Sequence, residues 1–307
     1  MKGQFFYWTI FLLLITGCDK IYYYPDKPIV NVKTQFIAHR GCGNAAIQSN
    51  TYDAAKYGLN NLGKIELDIQ LSKDRTIWLS HDVDFPVCNG IDLPCFPEAF
   101  DSQIVALDSC LGLSYTFSRL EEVISLIKDS FPECLVSLDV KVWGPCKFTS
   151  LEVTGIMNVI AERIVDLANV YQAHKNILVE SEVASFLNYL KKLSNNKIEC
   201  YLTTLGDFER GMLLALKEGY SGISFKYNFD EIITKDHIDL LHKKGIKIQL
   251  WTVDEEDEMA LALSLNPDYI QTDNIEYAKY LIDEMSEISD NQSNSLTHLG
   301  KLYLNCR

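Results

Sequence analysis

Positive charge is scarce in this chain: 28 lysines and arginines stand against 42 aspartates and glutamates, a formal net charge of −14. A general nucleic-acid binder needs a basic face to neutralise phosphates, so that class is excluded. An acidic protein can still hold a small phosphodiester if one pocket is locally cationic. Long apolar runs are also missing. The run at residues 5–16 spans 12 residues, short of the ~20 that a spanning helix needs. No Cys-x-x-Cys pair favours a zinc site, and no Gly-x-Gly-x-x-Gly turn supports an open dinucleotide-binding sheet. What remains is a chain with 47% hydrophobic and 23% charged residues, the balance of a soluble globular protein. Its 307 residues fit one large barrel domain as well as two medium ones.

The N-terminus reads as a signal rather than as fold. Lys2 supplies a positive region, the 5–16 run an apolar one, and Ile15-Thr16-Gly17-Cys18 follows. That last segment resembles the lipobox of bacterial lipoproteins, which implies acylation of Cys18 after removal of residues 1–17. An ordinary signal peptide is the alternative. Residues 18–33 then form a tether, and the protein is expected to be exported and membrane-anchored on the periplasmic or cell-surface side. Cys42, Cys88, Cys95, Cys110, Cys134, Cys146, Cys200 and Cys306 remain, in a compartment where disulfides persist. Cys88, Cys95 and Cys110 are crowded into one stretch and suit bridging, but pairing cannot be deduced from spacing.

From residue 34 to 288, short β-rich runs alternate with amphipathic helical patterns. The strand candidates are 36–39, 64–70, 135–141, 177–180, 199–203, 222–225, 247–253 and 269–272. Helical stretches include 151–168, 183–193, 209–217, 235–244, 257–263 and 275–285. Alternation of this kind implies parallel βαβ units, and eight of them in this length point to an α/β (β/α)8 TIM barrel. An extra extended piece, 76–80, follows the second strand. Residues 84–116 are then long, irregular and rich in Cys and Pro, an insertion expected over the barrel mouth. Residues 289–307 form a tail, polar at first and expected to pack loosely.

Within 64–71, Ile65, Leu67, Ile69 and Leu71 alternate with Glu66, Asp68 and Gln70. Successive strand side chains face opposite ways, so apolar packing under the helices turns the acids into the barrel. Likewise Val136, Leu138 and Val140 oppose Ser137, Asp139 and Lys141. Carboxylates crowded in a dry space repel one another unless a proton or cation intervenes. Glu66, Asp68 and Asp139 therefore make an all-oxygen site for one hard divalent cation, Mg2+ or Ca2+. A structural ion-pair network around Lys141 is the bland alternative. His39 and His81 tip the balance, because strand C-termini converge on one mouth and two imidazoles there can serve as acid and base. Arg40 can grip phosphate oxygens. Glu180 and Ser181 end the fourth strand without an assigned role, and the other four histidines read as structural.

His39-Arg40-Gly41, Asn50-Thr51, Glu66-x-Asp68, His81-Asp82 and Asp139-x-Lys141, in that order, closely resemble the glycerophosphodiester phosphodiesterase signature. Leu250-Trp251-Thr252-Val253-Asp254 and Gln271-Thr272-Asp273 resemble the last two strand motifs of that family. The resemblance implies metal-dependent hydrolysis of glycerophosphodiesters to glycerol 3-phosphate and an alcohol. It makes His39 and His81 the acid–base pair and Glu66, Asp68 and Asp139 the metal ligands. It also puts Arg40 and Lys141 on phosphate and Trp251 on the substrate pocket. Ser49 stands where the family usually has Glu, and Asp139 replaces a usual Glu. Two alternatives stay open: a phosphodiesterase acting on phospholipids or envelope polymers, and a lipoprotein that binds phosphodiesters without turnover. Oligomeric state is not legible.

Overall fold

A computed structural model describes residues 21–24, 33–42, 47–90, 92–112, 116–140, 146–227, 233–291 and 301–304. Eight parallel strands close into a barrel: β2 (Gln35–Ala38), β3 (Lys64–Leu71), β5 (Leu135–Val140), β6 (Ile177–Ser181), β7 (Glu199–Thr204), β8 (Gly222–Lys226), β9 (Lys247–Trp251) and β10 (Tyr269–Thr272). Closure comes from β2, which pairs with β10 on one side and with β3 on the other. The expected (β/α)8 barrel is therefore the fold. Helices α1 (Tyr52–Leu62), α3 (Leu120–Ser130), α4 (Ser150–Val170), α5 (Ala184–Leu193), α6 (Phe208–Glu218), α7 (Lys235–Lys243), α8 (Glu256–Leu265) and α9 (Ile275–Asn291) alternate with the strands.

The alternation of side chains decides what lies on each side of the wall. Ile65, Leu67, Ile69, Val136, Leu138 and Val140 point outward and are buried with helix residues such as Leu59, Val123, Ile127, Ile160 and Ile164. Burying a side chain of this size contributes about 1.5–3 kcal/mol, which fixes the register, since a one-residue slip would put the acids under the helices. At the wall's inner side, Tyr201 fills space left by Gly222, where an added Cβ would lie 2.3 Å from the ring.

β3 outruns its short neighbour β2, and its far end is instead paired by antiparallel β4 (Ile77–Leu79). That strand is the extra extended piece read at 76–80. The insertion is less irregular than its sequence suggests: it carries α2 (Asp101–Leu111). Helix α2 shares a second apolar cluster, in which Phe85, Phe96, Ile104, Leu107 and Phe117 pack against Trp78 of β4. Two disulfides, Cys88–Cys110 and Cys95–Cys146, brace it. The second ties the insertion to the segment after β5.

The segments read as tether and tail each carry one short strand. β1 (Ile21–Tyr24) and β11 (Lys301–Leu304) pair antiparallel as a separate two-stranded sheet. Ile21 and the three tyrosines of β1, with Tyr303 of β11, are residue types that suit a pleated backbone. Cys18, with the signal segment, lies outside the described residues, as do Lys141, Cys306 and His298.

Candidate active site

The first strand ends at Ala38, and His39–Gly41 makes a single tight helical turn at its C-terminal end. Arg40 sits in the left-handed region at φ 52°, which turns its backbone N–H onto Glu66 Oε2 at 2.9 Å. Gly41, at φ 84°, has no room for a side chain: a Cβ would lie 2.9 Å from the Ala54 carbonyl carbon. The turn therefore needs glycine next to α1, whose N-terminus is capped by Thr51 accepting from the Ala54 N–H. These local requirements explain the His-Arg-Gly and Asn-Thr spacings. They lock the loop that presents His39.

Oxygen atoms of Glu66, Asp68 and Asp139 lie within 4.8 Å of one another. Asp68 and Asp139 are register partners across β3 and β5. Asn50 clamps Asp68 from both sides, donating to Oδ2 at 2.8 Å and accepting the Asp68 N–H at 2.9 Å. Arg40 Nε stands 3.4 Å from the same Oδ2. Glu66 is buried, and its Oε1 has no hydrogen-bond partner. Burial pushes the Glu66 carboxyl well above the usual carboxylate range, and the charges of Asp68, Glu180 and Asp139 push it the same way. The Arg40 N–H acts against them. A buried acceptor without a donor, among acids at ligand distance, fits a hard oxygen-seeking cation.

His39 is 13% exposed, with Nδ1 2.9 Å from Asp273 Oδ1 and Nε2 3.9 Å from Glu66 Oε2. Asp273 is placed in turn by Asp254, whose carboxylate accepts the Asp273 N–H at 2.6 Å. His81 follows Ser80, whose N–H bonds the Asp68 carbonyl at 3.0 Å, so it leaves the sheet beside Asp68. Its Nδ1 is 2.8 Å from Asp82 Oδ1. Each imidazole thus has its Nδ1 held by a carboxylate. Trp251 ends β9 with Lys226 of β8 5.9 Å from its ring centre. Arg40, just after β2, and Lys226, at the end of β8, place positive charge at the C-terminal ends of two barrel strands.

A model of the glycerophosphoryl diester phosphodiesterase family matches residues 39–277. The chain belongs to that family. It is 27% identical over 257 residues to a glycerophosphodiester phosphodiesterase of Caldanaerobacter subterraneus subsp. tengcongensis, covering 80% of this chain and 96% of the relative. Among solved structures, a glycerophosphodiester phosphodiesterase from Parabacteroides distasonis superimposes with a TM-score of 0.63 at 18% identity, covering 85% and 99% of the two chains. A phosphodiesterase of Oleispira antarctica, solved with its product sn-glycerol-3-phosphate, gives 0.64 at 20% identity over 81% and 96%.

Within the family's barrel, the residues expected to act together fall into two sets. His39, Arg40, Glu66, Asp68 and Asp139 are joined by the contacts above. His81 follows β4, which pairs with β3, and Trp251 ends β9 between β8 and β10. Residues without a role in the sequence reading also enter. Asp273 holds His39, Asn50 holds Asp68, and Glu180 is ringed by donors inside the barrel. Asn50 and Asp273 belonged to quoted motifs, so their position was visible while their partners were not. Of the remaining histidines, His242 bonds Asp268 at 2.9 Å and His237 helps cap α7, both structural uses.

Proposed function

We propose that the protein hydrolyses glycerophosphodiesters to glycerol 3-phosphate and an alcohol, using His39 and His81 as an acid–base pair and one divalent cation, Mg2+ or Ca2+. The observation that carries the reading is Glu66, buried with an unpartnered oxygen, clustered with Asp68 and Asp139 and 3.9 Å from His39. Family membership supports the substrate class. The Oleispira relative's bound product supports the glycerol 3-phosphate half.

Glu66, Asp68 and Asp139 would hold the cation, which when bound offsets charge on the phosphate oxygens. Arg40, whose Nε faces Asp68, would set the rest of its planar fork on a phosphate oxygen. One histidine takes a proton from the attacking water as its oxygen bonds phosphorus. The other gives a proton to the departing alcohol oxygen as the P–O bond breaks. Asp273 and Asp82 orient the two rings. Trp251 closes one side of the pocket against water, and Lys141 is assigned to phosphate by the family motif alone. Export with a lipid at Cys18 completes the reading, supported by the two disulfides, which suit an oxidising compartment.

The test is hydrolysis of a panel including glycerophosphocholine, glycerophosphoethanolamine and a lysophospholipid, with and without chelator. Release of glycerol 3-phosphate, lost with chelator and in His39→Ala and His81→Ala, is expected. Full activity in both variants, or in chelator, refutes the assignment. Turnover of the lysophospholipid alone would move the substrate to lipids.

A further inference from the structure

Glu180 lies in β6 as the register partner of Asp139, which is itself the partner of Asp68. Three acidic residues therefore occupy one continuous row across β3, β5 and β6, neighbouring strands being about 4.8 Å apart. Only the first two share the ligand cluster. The Glu180 side chain, 2% exposed, turns instead into the barrel interior. There Oε1 accepts from Ser137 Oγ at 2.7 Å and Gln271 Nε2 at 2.8 Å. Oε2 accepts from Gln249 Nε2 at 2.9 Å and from Ser224 Oγ. Accepting from both oxygens is the pattern of a carboxylate anion, and all four donors are neutral.

We infer that Glu180 is a positioning residue for the cation: its charge, held in place by Ser137, Ser224, Gln249 and Gln271, strengthens cation binding at Glu66, Asp68 and Asp139 without ligating it. The inference rests on the cation reading above. Two facts favour it over simple core filling. Inward positions of the same barrel carry Gln70, Gln249 and Gln271, all buried, so the interior accepts neutral amides of the same size. A charge there instead lowers stability unless positive charge is brought near. Moreover, Glu180 is the strand neighbour of Asp139, itself the neighbour of Asp68, so like charges crowd that side of the barrel and repel one another. A divalent ion is the species that turns this repulsion into attraction.

The full-length protein, Glu180→Gln and Ser224→Ala would be titrated with MgCl2 and with CaCl2 by calorimetry, and melted with and without each salt. Glu180→Gln is expected to weaken cation binding roughly tenfold or more and to shrink the cation-induced rise in Tm in step. Ser224→Ala loses a donor but keeps the charge, and should stay within about threefold of wild type. A merely structural Glu180 would lower Tm in both variants and leave both dissociation constants unmoved. That result, or equal affinities for wild type and Glu180→Gln, overturns the inference and leaves the cation site standing. No binding in wild type overturns both. Should Glu180→Gln not fold, Gln249→Lys sets an ammonium against the same carboxylate and is held to the same expectation and the same refutation.

Discussion

Replacing Asp273 with Ala isolates the part played by the His39 ring. The change removes the acceptor 2.9 Å from Nδ1 and leaves the barrel strands untouched. A hydrogen bond to a charged group contributes about 1.5–3 kcal/mol. Asp273 is 40% exposed, so solvent screening brings the expected loss to about 1–2 kcal/mol. Carried into the barrier, that is about 5- to 30-fold in rate. The loss should fall on kcat with KM nearly constant, because Asp273 holds a proton-transfer group and not the substrate. Tm should move by no more than about 3 °C, the scale for under 1 kcal/mol in a domain of this size. The assay is initial rates of glycerol 3-phosphate release from glycerophosphocholine at saturating Mg2+, for wild type, Asp273→Ala, His39→Ala and the double variant. If Asp273 acts through His39, the double variant is no slower than His39→Ala alone. Rates for Asp273→Ala within about twofold of wild type, or losses that multiply in the double variant, refute the reasoning.

Three further outcomes follow from the same geometry. The folded-state pKa of Glu66 is raised, so the cation-free fold binds its proton more tightly than the unfolded chain does. Cation-free stability should therefore decline as pH rises from the ordinary carboxylate range toward the raised value, and cation binding should release a proton; calorimetry in buffers of different ionisation enthalpy would expose an absent release. Asn50→Ala removes both Asn50 bonds to Asp68, at a cost of about 1–3 kcal/mol, and should weaken Mg2+ affinity as well as Tm; unchanged affinity would show that Asp68 needs no clamp. Converting Cys95 and Cys146 together to Ser releases the insertion from the segment after β5, and should lower Tm by the few degrees that about 2–4 kcal/mol implies, while proteolysis concentrates between residues 84 and 116. A Tm equal to wild type would mean that the apolar cluster around Phe96 suffices.

Much of the wall was legible because its pattern is local. Glu66 and Asp68 alternate with Ile65 and Leu67 at the strand period, and burial of the apolar set leaves the acids only one direction to point. Helix α2 escaped because the apolar residues it buries, Ile104 and Leu107, meet aromatic partners in the insertion rather than a continuous helical stripe, so no clear period stands out in 84–116. The pairing of β1 with β11 joins segments at opposite ends of the chain. Nothing in either segment alone names its partner.

By itself the sequence determined the barrel class, the inward acids and the two histidines at strand ends, since side-chain alternation and strand direction are properties of a few neighbouring residues. Tertiary structure alone decided what those groups touch. His39 meets Asp273 across 234 positions, because closing the sheet sets β10 beside β2. Glu180 meets donors from four other strands because the interior is narrow enough for all of them to reach one carboxylate. Such contacts depend on the whole ring being closed, and no local pattern carries that information.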